Sequence, residues 1–298
     1  MFDKVLGNSE VQATGRKLLA GERVQLGGVW GSAGAVIAAA VGRQMNRRVL
    51  FITTGVDAAD DVADDIEALT GSKTRILPAW EADASVSHLS DEITGERLAV
   101  CERLAAPENQ GQGPADVIVA SVMALLQPVP SPEALASGRL ALRKDAGMDP
   151  EDLMRWLVDA GFEQVDQVDR QGEFAHRGGI VDVFPPAGSR AVRVEFFGDT
   201  IDSLRQFDLD TQRSTTDLDR FDLVSLTAGA AADPAARGCF SEYLSDDTIV
   251  CMVEPGEVHQ LARDIYHRAT TPDDDRPAPA GHATDADELR IAVELFEP

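Results

Sequence analysis

The chain has 298 residues, enough for about two domains. Its 27 basic and 51 acidic side chains leave a formal charge of −24. That balance argues against a protein that grips bare nucleic acid over a broad basic face, because such binding rests on Lys and Arg neutralising phosphates.

No apolar run approaches the roughly 18 residues of a membrane span. The N-terminus, MFDKVLGNSEVQ, has neither a basic nor an apolar signal region. Cys101, Cys239 and Cys251 are scattered and odd in number, which fits a reducing cytoplasm better than a disulfide frame or a zinc site. A cytoplasmic location is expected.

In chain order, Ser9 is expected to cap a helix that runs to Leu19, with Gly21 just beyond it. Arg23–Val29 reads as a short strand, followed by a glycine cluster and a small-residue helix over Ala35–Gln44. Arg48–Thr54 is a continuous apolar run, the mark of a strand buried on both faces. Asp57 starts a helix that ends near Gly71, and Asp116–Ala120 is a second buried strand with Ser121 as the next cap. Strands separated by helices imply parallel pairing with crossovers.

The pattern changes at Asp149-Pro150, an N-cap followed by proline at the first helical position, with Gly161 as the stop. From Phe162 to about Leu226 the signals are mostly strands. Val192, Val194 and Phe196 alternate with Arg193, Glu195 and Phe197, and Gly178-Gly179, Pro185-Pro186 and Gly198-Asp199 mark turns. Ala228–Ala236 reads as a linker, Asp247–Val253 as a strand, Glu254–Ala269 as a helix and Thr271–Asp287 as a solvated loop. The fold class expected is α/β. A parallel-sheet domain covers residues 1–145, a β-rich α+β domain is inserted over 146–228, and residues 229–298 return to complete the first domain.

Gly28-Val29-Trp30-Gly31-Ser32-Ala33-Gly34-Ala35 stands where a phosphate-binding loop belongs, after a strand and before a helix. A working loop reads G-x-x-x-x-G-K-[ST]. Aligned on Gly28, its second glycine is Ala33, its lysine is Gly34 and its magnesium-binding hydroxyl residue is Ala35. Without the lysine and the hydroxyl, useful ATP hydrolysis is not expected. Two readings stay open: a degenerate nucleotide loop whose backbone N–H groups attract an anion weakly, or a Gly/Ala turn that lets a helix pack close to a strand.

The stretch Gly172–Arg213 is the most specific. G-E-F-A-x-R-G-G-I-V-D-V-F-P-P is followed by V-R-V-E-F-F-G-D-x-I-D-S-L-R-x-F-D and then T-Q-R. This string resembles the corresponding module of the nucleotide excision repair protein UvrB and of the transcription-repair coupling factors. Asp116–Pro132 and Cys239–Ala269 resemble both more loosely. UvrB carries an intact phosphate loop and a long tyrosine-rich hairpin that clamps damaged DNA. Here the loop is degenerate, and the equivalent stretch, Leu77–Leu104, is short and has no tyrosine, so the coupling-factor family is the better match.

The resemblance implies that the inserted module docks UvrA and performs no chemistry itself. Arg177 matches the family's docking arginine; a surface ion pair or a turn cap is the bland alternative. Phe174 is either a core residue or an aromatic anchor beside it. Arg170 and Arg193 either widen the basic patch or are solvated strand residues. Gln164 stands where the family is expected to carry another arginine. Glu163, Asp166 and Asp169 lie close enough to tune partner choice by repulsion. His176 is placed to add a pH-dependent charge. A complete coupling factor would carry its translocase and RNA polymerase-binding domains elsewhere in the chain. Strong direct DNA binding, membrane contact, a catalytic residue, a cofactor and a metal are not expected.

Other constellations are weaker. Asp60, Asp61, Asp64 and Asp65 form a solvated acidic helix face. Asp208 and Asp210 lack the ligand series of a calcium loop. His88, His176, His259, His267 and His282 form no ligand pair, and no serine sits in a nucleophile elbow. Two alternatives to recruitment are a UvrB-like DNA-dependent ATPase subunit and an autoinhibitory module within a longer translocase.

Overall fold

The computed structural model describes residues 2–71, 74–80, 87–105, 116–186, 190–226 and 236–270. It divides into two compact units. The first comprises Met1–Trp80, Ala106–Pro128 and Cys239–Pro298; the second comprises Glu81–Ala105 and Val129–Gly238.

The chain opens with α1 (Phe2–Leu6) and α2 (Ser9–Leu19). Asn8, rather than Ser9, caps α2: its side-chain oxygen accepts the N–H groups of Glu10 at 2.8 Å and Val11 at 3.4 Å. α3 (Ala33–Met45), β1 (Val49–Thr53), α4 (Val56–Thr70), β2 (Thr74–Leu77) and α5 (Ser87–Ala105) follow. β3 (Val117–Ser121) leads into α6 (Val122–Leu126), where Ser121 Oγ accepts the Ala124 N–H.

The second unit then adds β4 (Val129–Pro130), α7 (Pro132–Ser137), β5 (Arg139–Arg143), α8 (Pro150–Asp159) and β6 (Glu163–Gln164). Asp149 caps α8 through the Glu151 N–H at 2.8 Å, with Pro150 as its first residue. Next come β7 (Glu173–Arg177), β8 (Ile180–Val183), β9 (Ala191–Phe197), β10 (Thr200–Phe207), β11 (Ser214–Leu218), β12 (Arg220–Val224) and β13 (Arg237–Gly238). β14 (Ile249–Met252) and α9 (Pro255–Thr270) return the chain to the first unit.

In the first unit the sheet order is β14-β1-β3-β2, and every pairing is parallel. All five positions of β1 and of β3 are buried, as their unbroken apolar runs require. Val49, Phe51, Val117 and Val119 pack against Phe2, Val11, the alanines of α3 and Ile66 of α4. The strand expected over Arg23–Val29 does not form. Both sides of β1 are taken, by β3 and by β14, and the segment offers only Val24, Leu26 and Val29 as apolar contacts. Leu26 remains 46% exposed.

In the second unit a six-stranded sheet runs β11-β10-β9-β8-β7-β6, antiparallel throughout except for the β6–β7 pair. One face packs against Leu153 and Leu157 of α8, against Ala160 just past its end, and against the β5–β12 ribbon through Leu142 and Leu223. The other face carries charge. The expected linker falls outside the described residues apart from Ala236, and the expected loop over Thr271–Asp287 lies wholly outside them.

Candidate functional site

β7 alternates, and the alternation sorts its side chains by face. Phe174 is fully buried opposite Val183, in the core of the sheet. Glu173, Ala175 and Arg177 have the opposite parity. Arg177 is exposed at the end of the strand, just before the turn Gly178-Gly179. The turn needs both glycines. Gly178 has φ 62°, and a Cβ on Gly179 would lie 3.0 Å from the Phe196 carbonyl oxygen. That close approach lets the Phe196 N–H donate to the Gly179 carbonyl at 2.7 Å, tying the β7–β8 turn to β9.

Arg177 is held from the other side by the loop after β6. Its Nη2 donates to the Asp166 carbonyl at 2.7 Å. Among the described residues no carboxylate lies within ion-pair distance of its guanidinium. The group is therefore fixed in direction while most of its charge and N–H groups face solvent. Arg170 is exposed in the same loop and has no ion pair among the described residues either.

Arg193 is different. Its Nε and Nη2 reach both oxygens of Asp182 at 2.7 and 2.8 Å, and its Nη1 reaches the Gln212 carbonyl at 3.3 Å. The guanidinium lies 4.8 Å from the centre of the Phe207 ring, and the side chain is only 19% exposed. The hydrogen bonds to Asp182 raise its pKa further. This is a two-point ion pair across neighbouring strands. It continues as a ladder: Ser203 donates to Glu195 at 2.6 Å, and Arg205 bridges Glu195 at 3.5 Å and Asp217 at 3.0 Å. Arg193 is neither the open patch residue nor the solvated strand residue that the sequence suggested.

One surface residue was missed. Phe197 is 83% exposed at the end of β9. It shares parity with Arg193 and Glu195, and the pairs Arg177↔Ile180 and Ile180↔Glu195 place Arg177 on the same face. The V-R-V-E-F-F alternation held this signal, since it already set Phe197 among the outward residues.

Gln164 lies exposed on β6, paired with Phe174. His176 lies 2.6 Å from the Gly178 carbonyl through its Nε2. Asp208 closes a turn instead of a cation loop: its Oδ1 accepts the Thr211 hydroxyl at 2.7 Å and the Thr211 N–H at 2.8 Å. The hydroxyl first, then the backbone N–H, holds this carboxyl below its ordinary value. Among the described residues, no group of three or more His, Cys, Asp or Glu side chains is arranged to hold a metal.

The Gly28–Ala35 segment enters α3 without a preceding strand. Gly28 and Gly31 have φ 72° and 55°, and Ser32 precedes the helix without a side-chain capping bond. Gly34 and Ala35 lie in the first turn of α3 and, as glycine and alanine, bring no side-chain charge or hydroxyl to the loop.

Residues 140–228 match the UvrB interaction domain family. The transcription-repair-coupling factor of Bacillus subtilis is 34% identical over 191 residues, which is 63% of this chain and 16% of the relative. That of Mycobacterium bovis is 36% identical over 197 residues, 65% of this chain and 16% of the relative. That of Escherichia coli is 30% identical over 246 residues, 81% of this chain and 20% of the relative. The chain thus spans about a fifth or less of the length of these curated relatives. It is related to transcription-repair-coupling factors and contains a UvrB interaction domain. No helix among the described residues is long and apolar enough to cross a membrane.

Proposed function

We propose that this chain is a non-catalytic module that recruits UvrA in transcription-coupled nucleotide excision repair. The observation that carries the reading is Arg177: an exposed guanidinium, oriented by the Asp166 carbonyl and without a carboxylate partner among the described residues, inside the matched domain. Such a group offers two-point hydrogen bonding to an acidic surface on the partner. Exposed Phe197 on the same face supplies an aromatic contact of the kind enriched at binding hot spots. Arg170 widens the basic patch. Phe174 acts from beneath as packing, and Arg193, on the same face as Arg177, acts as the tie between β8 and β9.

The parallel-sheet unit serves as a scaffold. Its glycine loop lacks the lysine and the hydroxyl that nucleotide chemistry uses, so this reading includes no ATPase activity. In a longer coupling factor, the translocase and RNA polymerase-binding domains would act in cis with this module.

Calorimetric titration with UvrA tests the proposal. Saturable binding is expected, with Arg177→Glu losing at least about 2 kcal/mol, a typical hot-spot effect. Unchanged binding by the variant removes Arg177 from the account. The same preparation should show no saturable, magnesium-dependent ATP binding; finding it would restore the ATPase reading.

A further inference from the structure

A side chain that makes no contact with the Arg177 guanidinium helps to hold the loop that orients it. Glu173 lies four residues earlier on β7, with the same parity. Its Oε2 accepts the backbone N–H groups of both Asp169 and Arg170, each at 2.8 Å. These bonds bind the loop between β6 and β7 back onto the strand. The same loop supplies the Asp166 carbonyl that receives the Arg177 Nη2 at 2.7 Å. At its start the loop is anchored by the Val165 N–H donating to the Phe174 carbonyl at 2.9 Å. Two residues of one strand, Glu173 and Phe174, therefore fix a short loop, and the loop fixes the arginine.

We infer that Glu173 is a positioning residue for the docking arginine, holding the Asp166 carbonyl in place through the Asp169 and Arg170 N–H groups. The inference rests on the docking reading for its functional meaning, but its geometry can be tested without a partner. A carboxylate near a basic docking face has an obvious competing role, which is to repel an acidic partner. The two roles predict opposite signs. Positioning predicts that removing Glu173 weakens binding; repulsion predicts that removal tightens it. Glu163, Asp166 and Asp169 carry further negative charge in the same neighbourhood, so Glu173 is not needed there merely as an acid.

The test uses the full chain in five forms: wild type, Glu173→Ala, Glu173→Gln, Arg177→Ala and the Glu173→Ala/Arg177→Ala double variant. Two readouts are taken, UvrA affinity and the NMR relaxation of the Arg177 side-chain Nε–H without UvrA. Glu173→Ala is expected to weaken binding on the order of tenfold, and by less than about twofold once Arg177 is already alanine, since coupled residues are non-additive. Glu173→Gln should stay within about twofold of wild type, because its amide oxygen still accepts both N–H groups. In Glu173→Ala the Arg177 side chain should become mobile.

Equal or tighter binding by Glu173→Ala overturns the inference. So does an equal loss in the Arg177→Ala background, which would mean that the sheet had loosened generally. An Arg177 side chain that stays ordered in Glu173→Ala overturns it whatever the affinity. If wild type fails to bind UvrA while Arg177 still loosens in Glu173→Ala, the docking reading falls and the positioning role stands.

Discussion

The two sheets of this chain put their side chains to opposite uses. In the parallel sheet, β1 and β3 are buried on both faces, so their sequence is consumed by packing. In the antiparallel sheet one face is buried and the other carries Asp182, Arg193, Glu195, Arg205 and Asp217 in paired ladders, with Arg177 left over at the end. A surface is recognisable as functional where a charged group is fixed in place yet unmatched. Arg177 and Arg193 make the contrast sharp: both lie on one face of one sheet, but among the described residues only Arg193 of the two has a carboxylate partner.

Four substitutions bear on that contrast. Phe174→Ala should have the largest effect, a loss of about 3–5 kcal/mol, because it empties a fully buried aromatic position. Chemical denaturation measures it, and a small loss would mean that the core collapses around the gap. Arg177→Glu should leave the denaturation midpoint unchanged and cost at least about 2 kcal/mol of UvrA affinity. Asp182→Ala should do the reverse, lowering stability by about 2 kcal/mol by leaving a largely buried guanidinium unpaired, with a smaller effect on binding. If the two arginine sites respond alike in both assays, the distinction between them fails.

Asp208→Asn should have the smallest effect, a slight loss at neutral pH that disappears in acid. The native carboxyl titrates below its ordinary value of 3.8, so its stabilising contribution is complete above that value and fades as pH falls through the depressed native one. Stability measured from neutral pH into acid should lose that slope in the variant and converge with the wild type at the acid end.

Much of this was legible in the residues. The apolar runs at Val49–Thr53 and Val117–Ser121 announced a parallel sheet, and Asp149-Pro150 marked the start of α8. Arg23–Val29 misled because a strand needs a vacant neighbour as well as apolar residues, and the place beside β1 is filled from the far end of the chain. The role of Arg193 was hidden for a related reason. Its pairing with Asp182 depends on the register of β8 against β9, which no local pattern specifies. Arg177 was legible as a match to a motif. Its hold on the Asp166 carbonyl was not, since that contact depends on how the β6–β7 loop folds back.

The pairing of Val49 with Ile249 also bears on synthesis. β1 emerges from the ribosome long before β14, with the whole second unit between them, and domains generally fold as they are completed. The antiparallel-sheet unit is therefore finished first, while β1 still awaits its outer neighbour. A nascent chain arrested before residue 249 would carry a finished antiparallel sheet beside an incomplete parallel one, and the bare edge of β1 would be the place where aggregation begins.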